Sequence, residues 1–333
     1  MESPIQLIDM PEDSMRHILE RCDFVSLQCL RKTCHTFRNF IDETKPSQLN
    51  VLDIFGHPGR FSMTFSENTN DKLYPAGTKV RLDFNESGGK NTKITWYRMG
   101  RKREKIIENN NYLDVFSRTL GTVLECKQPK WNKISLGCHE EALKKIHECI
   151  LALTSPLKVH SLRISSCKCL NLVVEIMKSF CSDTLAHLHF DTPSEPWNMS
   201  EMVKLEQWKK ATELNMRLVI ASPTDIESYS HFQYAIIFFE NITVDDLCKI
   251  KKLFLNTPSI TKRFELYGLN SLNKNLLVTK LGEPYISGDP AFNFWYFKRD
   301  DNYVLCIKYS ENLRCFDFSI INKVDVPQEA IIH

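Results

Sequence analysis

Between Val159 and Leu266 the chain repeats one pattern. Short apolar runs at Val159–Ile164, Leu185–Phe190, Leu214–Val219, Tyr234–Phe239 and Arg263–Leu266 read as strands. Helical spacing fills three of the gaps, over Leu170–Phe180, Met199–Thr212 and Thr243–Leu255. Thr243 is placed to cap the last of these, and Asp245 and Asp246 fall in its first turn, where acidic groups suit the helix dipole. Connections this long exclude hairpins and require crossovers between parallel strands. One strand and one helix bury a face of each only when neighbouring units complete the core. The pattern predicts a curved, mostly parallel sheet with helices on its outer side.

The period matches leucine-rich-repeat-like β/α units, roughly 20–29 residues long, although no Leu or Asn ladder recurs. A compact α/β sandwich is the alternative. After these units, Asn293–Phe297, Tyr303–Tyr309 and Leu313–Ile320 alternate strongly and predict an antiparallel finishing sheet. Val326-Pro327 and Ala330–Ile332 are then either tied to that sheet or frayed. Before the units, alternation from Leu49 to Tyr97 is punctuated by Gly56–Gly59, Pro75–Gly77 and Ser87–Gly89, so a small antiparallel sheet is expected. Tyr112–Val123 and Glu141–Leu153 carry helical spacing, with a strand at Lys133–Leu136. The fold class is α/β, α+β over the whole chain. The basic run Arg98–Lys105 reads as a solvated hairpin tip, or else as a nuclear signal or phosphate patch.

The first forty residues behave differently. Pro11 suits the first position of a helix, and Glu12 and Asp13 follow it. Met15, Ile18, Leu19 and Cys22 then share a face, and Asp23 can open a new helix. Leu27, Leu30, Cys34, Phe37 and Ile41 make a second stripe, with Arg31, Lys32 and Arg38 opposite. Two or three short helices in so few residues can barely bury a core of their own. Part of that apolar face must meet another surface, in this chain or in a partner.

Met10-Pro11-Glu12, Ile18-Leu19, Asp23–Leu27, Leu30-Arg31-Lys32 and Cys34-His35 together resemble an F-box in its nematode form. That family docks on the Skp-type adapter of a cullin–RING ubiquitin ligase. The resemblance implies that Pro11, Ile18, Leu19, Leu27, Leu30, Cys34 and Phe37 lie at or just under the adapter contact. Ser14 stands where the family usually carries an aliphatic residue, which implies modestly weaker docking, a buried aliphatic being worth about 1.5–3 kcal/mol. The other reading is a helical hairpin that closes on its own domain. Farther on, Leu205–Ala211, His231-Phe232, Phe294–Phe297 and Val326-Pro327 resemble the FTH-type domain that accompanies such boxes. That resemblance runs from about Glu141 onward and implies recruitment of a protein target, with no catalytic residues to carry over. The organisation expected is an F-box at 1–45, a β-rich segment at 50–136 and an FTH-type domain at 137–333.

Other chemistry is weakly signalled. Gly-rich phosphate loops and nucleophile-elbow or zinc-protease motifs are missing from the sequence. His187 with His189, and Cys167 with Cys169, each place like ligands on one strand face, but a complete metal-ligand set is not evident. Trp208 with Met202 and Leu205 reads as core rather than a ligand box. Cys138-His139 and His147 with Cys149 lack an orienting third group. A net charge of +2 supplies no global field for nucleic acid or membrane. Twelve scattered cysteines, no signal-like segment and no bilayer-length apolar run place the chain in the cytosol or nucleus, its thiols reduced. The expectation is a non-enzymatic adapter without cofactors. It binds the Skp-type subunit, and through it cullin, with one domain and a target protein with the other. A stand-alone protein- or RNA-binding module is the alternative.

Overall fold

In the computed structural model of the chain, residues 9–20, 22, 24–44, 50–66, 79–98, 100–125, 131–165, 168–191, 196–220, 226–268, 272–289, 291–299 and 302–333 are described. The expected helix start at Asp23, the turn at Pro75–Gly77 and Cys167 lie outside them. The chain divides into two compact units, Met1–His160 and Ser161–His333.

The first unit opens with α1 (Glu12–Glu20), α2 (Phe24–Arg31) and α3 (His35–Thr44). It continues with β1 (Val51–His57), β2 (Arg60–Ser66), β3 (Lys79–Ser87), β4 (Asn91–Arg98), β5 (Arg101–Ile107), α4 (Tyr112–Glu125), β6 (Trp131–Cys138) and α5 (Glu140–Leu151). Strands β1 to β5 form an antiparallel meander, and β6 adds to β1 in parallel. Phe61 and Phe84 point from this sheet to Phe116 on α4, with ring centroids 4.4 and 5.7 Å away, and all three are fully buried. The close β1–β2 pairing needs Gly56 opposite Phe61, because a Cβ there would stand 2.4 Å from the Phe61 ring. The basic run begins at a hairpin tip and continues beyond it. Gly100 makes the turn at a φ of 72°, and Arg101–Lys105 return as the exposed edge strand β5. Charged side chains on an edge discourage pairing with another chain.

The second unit contains β7 (Val159–Ser165), which starts just ahead of the boundary, α6 (Leu170–Lys178), β8 (His187–Asp191), α7 (Glu206–Lys210), β9 (Glu213–Ile220), β10 (Tyr234–Phe239), α8 (Val244–Asn256) and β11 (Arg263–Gly268). Then come α9 (Lys274–Leu281), β12 (Tyr285–Ile286), β13 (Phe292–Lys298), β14 (Tyr303–Ser310) and β15 (Cys315–Asn322). Strands β7 to β11 pair in parallel, each with its neighbour in sequence. β15 joins β11 antiparallel and is followed outward by β14, β13 and β12. Leu162, Ile164, Leu188, Phe190, Leu214, Met216, Ala235, Ile237, Phe264 and Leu266 are at most 1% exposed, which marks one face of the strands as core. Val173, Ile176 and Met177 of α6 and Leu247, Ile250 and Phe254 of α8 are equally buried. Val326, Ala330 and Ile332 are tied down, packing around Tyr296, Val304 and Cys306.

Two helix expectations change. Met199–Thr212 is a 3-10 turn at Met202–Lys204 and then the short α7, separated by Leu205 in an extended conformation. Seating Met202 and Trp208, both fully buried, takes precedence over helical continuity. α9 was not expected from periodicity. Its signals are local: the Asn273 side chain caps the Leu276 N–H at 3.2 Å, and Gly282 follows its last turn at a φ of 91°.

Candidate adapter-docking site

The three N-terminal helices share a core of Met15, Leu19, Leu27 and Ile41. Pro11 sits just ahead of α1, and its carbonyl accepts from the Met15 N–H at 3.0 Å. Glu12 at the dipole's positive end also pairs with Arg16 at 2.8 Å. Cys34 performs a capping role on α3, its Sγ accepting from the Phe37 N–H at 3.5 Å. The Thr33 hydroxyl donates to the Leu30 carbonyl at 2.6 Å and closes the end of α2.

The residues singled out from the sequence separate into two layers. Leu19 and Leu27, 0% and 2% exposed, lie inside the small core. Ile18, Leu30 and Phe37 are half-buried, and Pro11 and Cys34 are exposed. Leu30 and Phe37, with Cys22 and Phe40, lean on the core from outside and form an apolar rim. Phe40 was missed, although its position three residues after Phe37 places it on the same helix face. Ser14 is half-buried in α1. The guanidinium of Arg98 on β4 donates to the Ser26 hydroxyl of α2 at 2.8 Å, which ties the helices to the sheet of their unit.

The remaining candidates sit elsewhere and are held by other groups. His189 meets the Asp191 carboxylate at 2.8 Å, Arg163 pairs with the same carboxylate, and His187 lies 3.5 Å from Glu213. Burial pushes His189 down, and Asp191 partly restores it. Among the described residues, no group of three His, Cys, Asp or Glu side chains is placed to hold a metal ion. Trp208 is a core wedge: its indole N–H donates to the Ser228 carbonyl at 3.1 Å, and its ring meets Tyr229 and Phe232 edge to face. The Cys138 thiol donates to the Ile54 carbonyl at 3.6 Å and that of Cys149 to the Ser117 carbonyl at 3.5 Å. Burial pushes Cys149 up, away from the thiolate a nucleophile needs.

A family model of the F-box domain matches residues 7–48, and one of the FTH domain matches residues 140–276. No curated protein and no solved structure matches the chain. The FTH match starts with α5 and ends within α9, so Phe294–Phe297 and Val326-Pro327 lie beyond it. F-box domains in general bind a Skp-type adapter, which links them to cullin, and both families are adapter-type rather than catalytic. Three short helices with an apolar rim, followed by parallel β/α units, are thus the two recognised parts of an F-box protein that carries an FTH domain.

Proposed function

We propose that this chain is the target-recruiting subunit of an SCF-type ubiquitin ligase. Pro11, Ile18, Leu30, Cys34 and Phe37 meet the Skp-type adapter, with Leu19 and Leu27 shaping that surface from beneath. The observation that carries this reading is the rim itself. A core of four side chains leaves Ile18, Leu30, Phe37 and Phe40 half-covered within the F-box match, and apolar surface of this kind is stabilised by removal from water. The second unit, with its repeated β/α elements of leucine-rich-repeat-like character, holds a target protein. Its organisation is then an F-box at 1–45, a β-rich segment at 50–136 and a recruiting domain at 137–333. Catalysis is by proximity, since tethering raises the effective concentration of target lysines at the transfer site, and the covalent steps belong to other subunits. Such a ligase works in the cytosol or nucleus. Among the described residues no helix is long and apolar enough to cross a membrane.

A second reading rests on the Arg98–Ser26 hydrogen bond. It makes the helical hairpin an internal element of its unit, and the chain a stand-alone protein- or RNA-binding module. One experiment separates the two: titration of the full chain with the Skp-type adapter, beside Leu30→Asp and Phe37→Ala. The adapter reading expects binding by the parent chain and its loss in Leu30→Asp, with melting unchanged. A folded parent chain that does not bind, and a Leu30→Asp chain that melts early, would establish the internal hairpin instead. RNA binding would further require an affinity that falls steeply with salt.

A further inference from the structure

The face of the first unit's sheet opposite α4 carries a trough of ≈ 390 Å³, lined by Asp53, Phe55, His57, Arg60, Ser62, Thr64 and Arg81, all outside the two matched stretches of sequence. Its shape follows from the strand register. Ser62 and Thr64 on β2 are short and 8% exposed, so they form a floor. Asp53, Phe55 and His57 on β1 stand along one side, and Arg81 on β3 stands opposite, across Thr64 from Asp53. Arg60 closes the end beside its register partner His57.

The two arginines of the trough converge on one buried carboxylate. Asp83, 2% exposed, accepts from Arg81 Nε at 2.7 Å and Nη2 at 3.2 Å, and from Arg60 Nη2 at 3.1 Å. The Arg81 guanidinium also lies 5.8 Å from the centre of the Tyr97 ring. Both guanidiniums are therefore held in place, yet each keeps unused N–H donors out of its five. Their side chains remain 52% and 43% exposed. Among the described residues the side chains of Asp53 and His57 have no hydrogen bond or ion pair. The trough thus offers two guanidiniums fixed on Asp83, an imidazole beside Arg60 and, on β1 across Thr64 from Arg81, the Asp53 carboxylate.

We propose that this trough binds a phosphate monoester. The phosphoryl group lies against Arg60, Arg81 and His57, and a cationic or N–H-donating group lies toward Asp53. Asp83 already fills the inner fork as a planar carboxylate would. The donors left over are spread across three residues, which suits a tetrahedral group with three acceptor oxygens and nearly two charges. The ester is either a phosphorylated side chain of a protein or a free small molecule, and the test distinguishes them.

Isothermal titration of the full chain with inorganic phosphate, O-phosphoserine, and a phosphoserine peptide with its unphosphorylated counterpart measures this. O-phosphoserine is expected to bind more tightly than phosphate, because only it presents an ammonium to Asp53. Arg60→Gln and His57→Gln are each expected to weaken it about tenfold, with circular dichroism and adapter binding unchanged. Asp53→Asn should narrow the gap between the two small probes. His57→Gln keeps the test decisive if Arg60→Gln fails to fold. A peptide that binds far better than O-phosphoserine makes the source a protein, and equal affinity makes it a free ester. No binding of any phosphorylated probe by the folded chain, or binding that Arg60→Gln and His57→Gln leave unchanged, overturns the proposal.

Discussion

At Lys262 burial and charge are in direct conflict. The residue is 3% exposed, its ammonium donates to the Ser230 carbonyl, and the Phe254 and Phe264 ring centres lie 5.8 and 5.3 Å away. Desolvation pulls its pKa from 10.5 to about 8. The unfolded chain therefore keeps this proton up to the ordinary lysine value, whereas the folded chain releases it earlier. Between about 8 and 10.5 the unfolded state binds more protons, so this residue makes stability rise with pH there. Lys262→Met should remove the rise, which is worth up to about 3 kcal/mol at about 1.4 kcal/mol per pKa unit. Denaturant unfolding of both chains at pH 7 to 10 checks it, read as a difference. The difference is needed because Cys306 and Cys315, pushed by burial to about 12 and about 11, act with the opposite sign. A flat difference would show that the ammonium is well solvated in the fold. Gly56→Ala is expected to cost about 1–3 kcal/mol, since its Cβ displaces the fully buried Phe61 ring.

Among the elements, α8 has the clearest local definition. The Thr243 side chain accepts from the Asp246 N–H at 3.2 Å, and the Asp246 carboxylate accepts from the Thr243 N–H at 3.1 Å, which completes a capping box. Thr243→Ala should lower stability by about 1 kcal/mol, seen as an earlier midpoint in urea with an unchanged slope. Strand β5 makes the opposite point, that a strand can be defined by what it repels. Lys102, and then Lys93, clamp Glu104 and hold its carboxyl down to about 2, while Arg101, Arg103 and Lys105 stay exposed. Replacing Arg103 and Lys105 by Val should leave the monomer folded and produce concentration-dependent association by light scattering. A chain that stays monomeric would mean this edge needs no protection.

For the whole molecule, the decisive quantity is how the two proposed binding functions coexist in one chain. Leu30→Asp should abolish adapter binding while leaving phosphoserine titration intact, and Arg60→Gln should do the reverse. Loss of both in either variant would mean that the two sites, which share the first unit, do not act independently. The β/α rhythm, the antiparallel tail, the Thr243 cap and the box-like helices were legible because each follows from spacing within one element. Period, caps and charge placement act over a few residues, and the local physics they report survives folding. What lay outside that range was decided only by tertiary structure. Leu19 and Leu27 fell beneath the rim and Leu30 and Phe37 onto it because four side chains suffice to fill the gap between three helices. Met199–Thr212 broke because Trp208 found the Ser228 carbonyl and two aromatic rings twenty residues or more away in sequence. The basic run became an edge because a meander has to end somewhere, and the trough formed because register set Ser62 and Thr64 between longer side chains on β1 and β3. The sequence by itself determined most of the elements and the faces they bury. Pairing between distant segments, which no local spacing encodes, decided which residues meet and so where a ligand can sit.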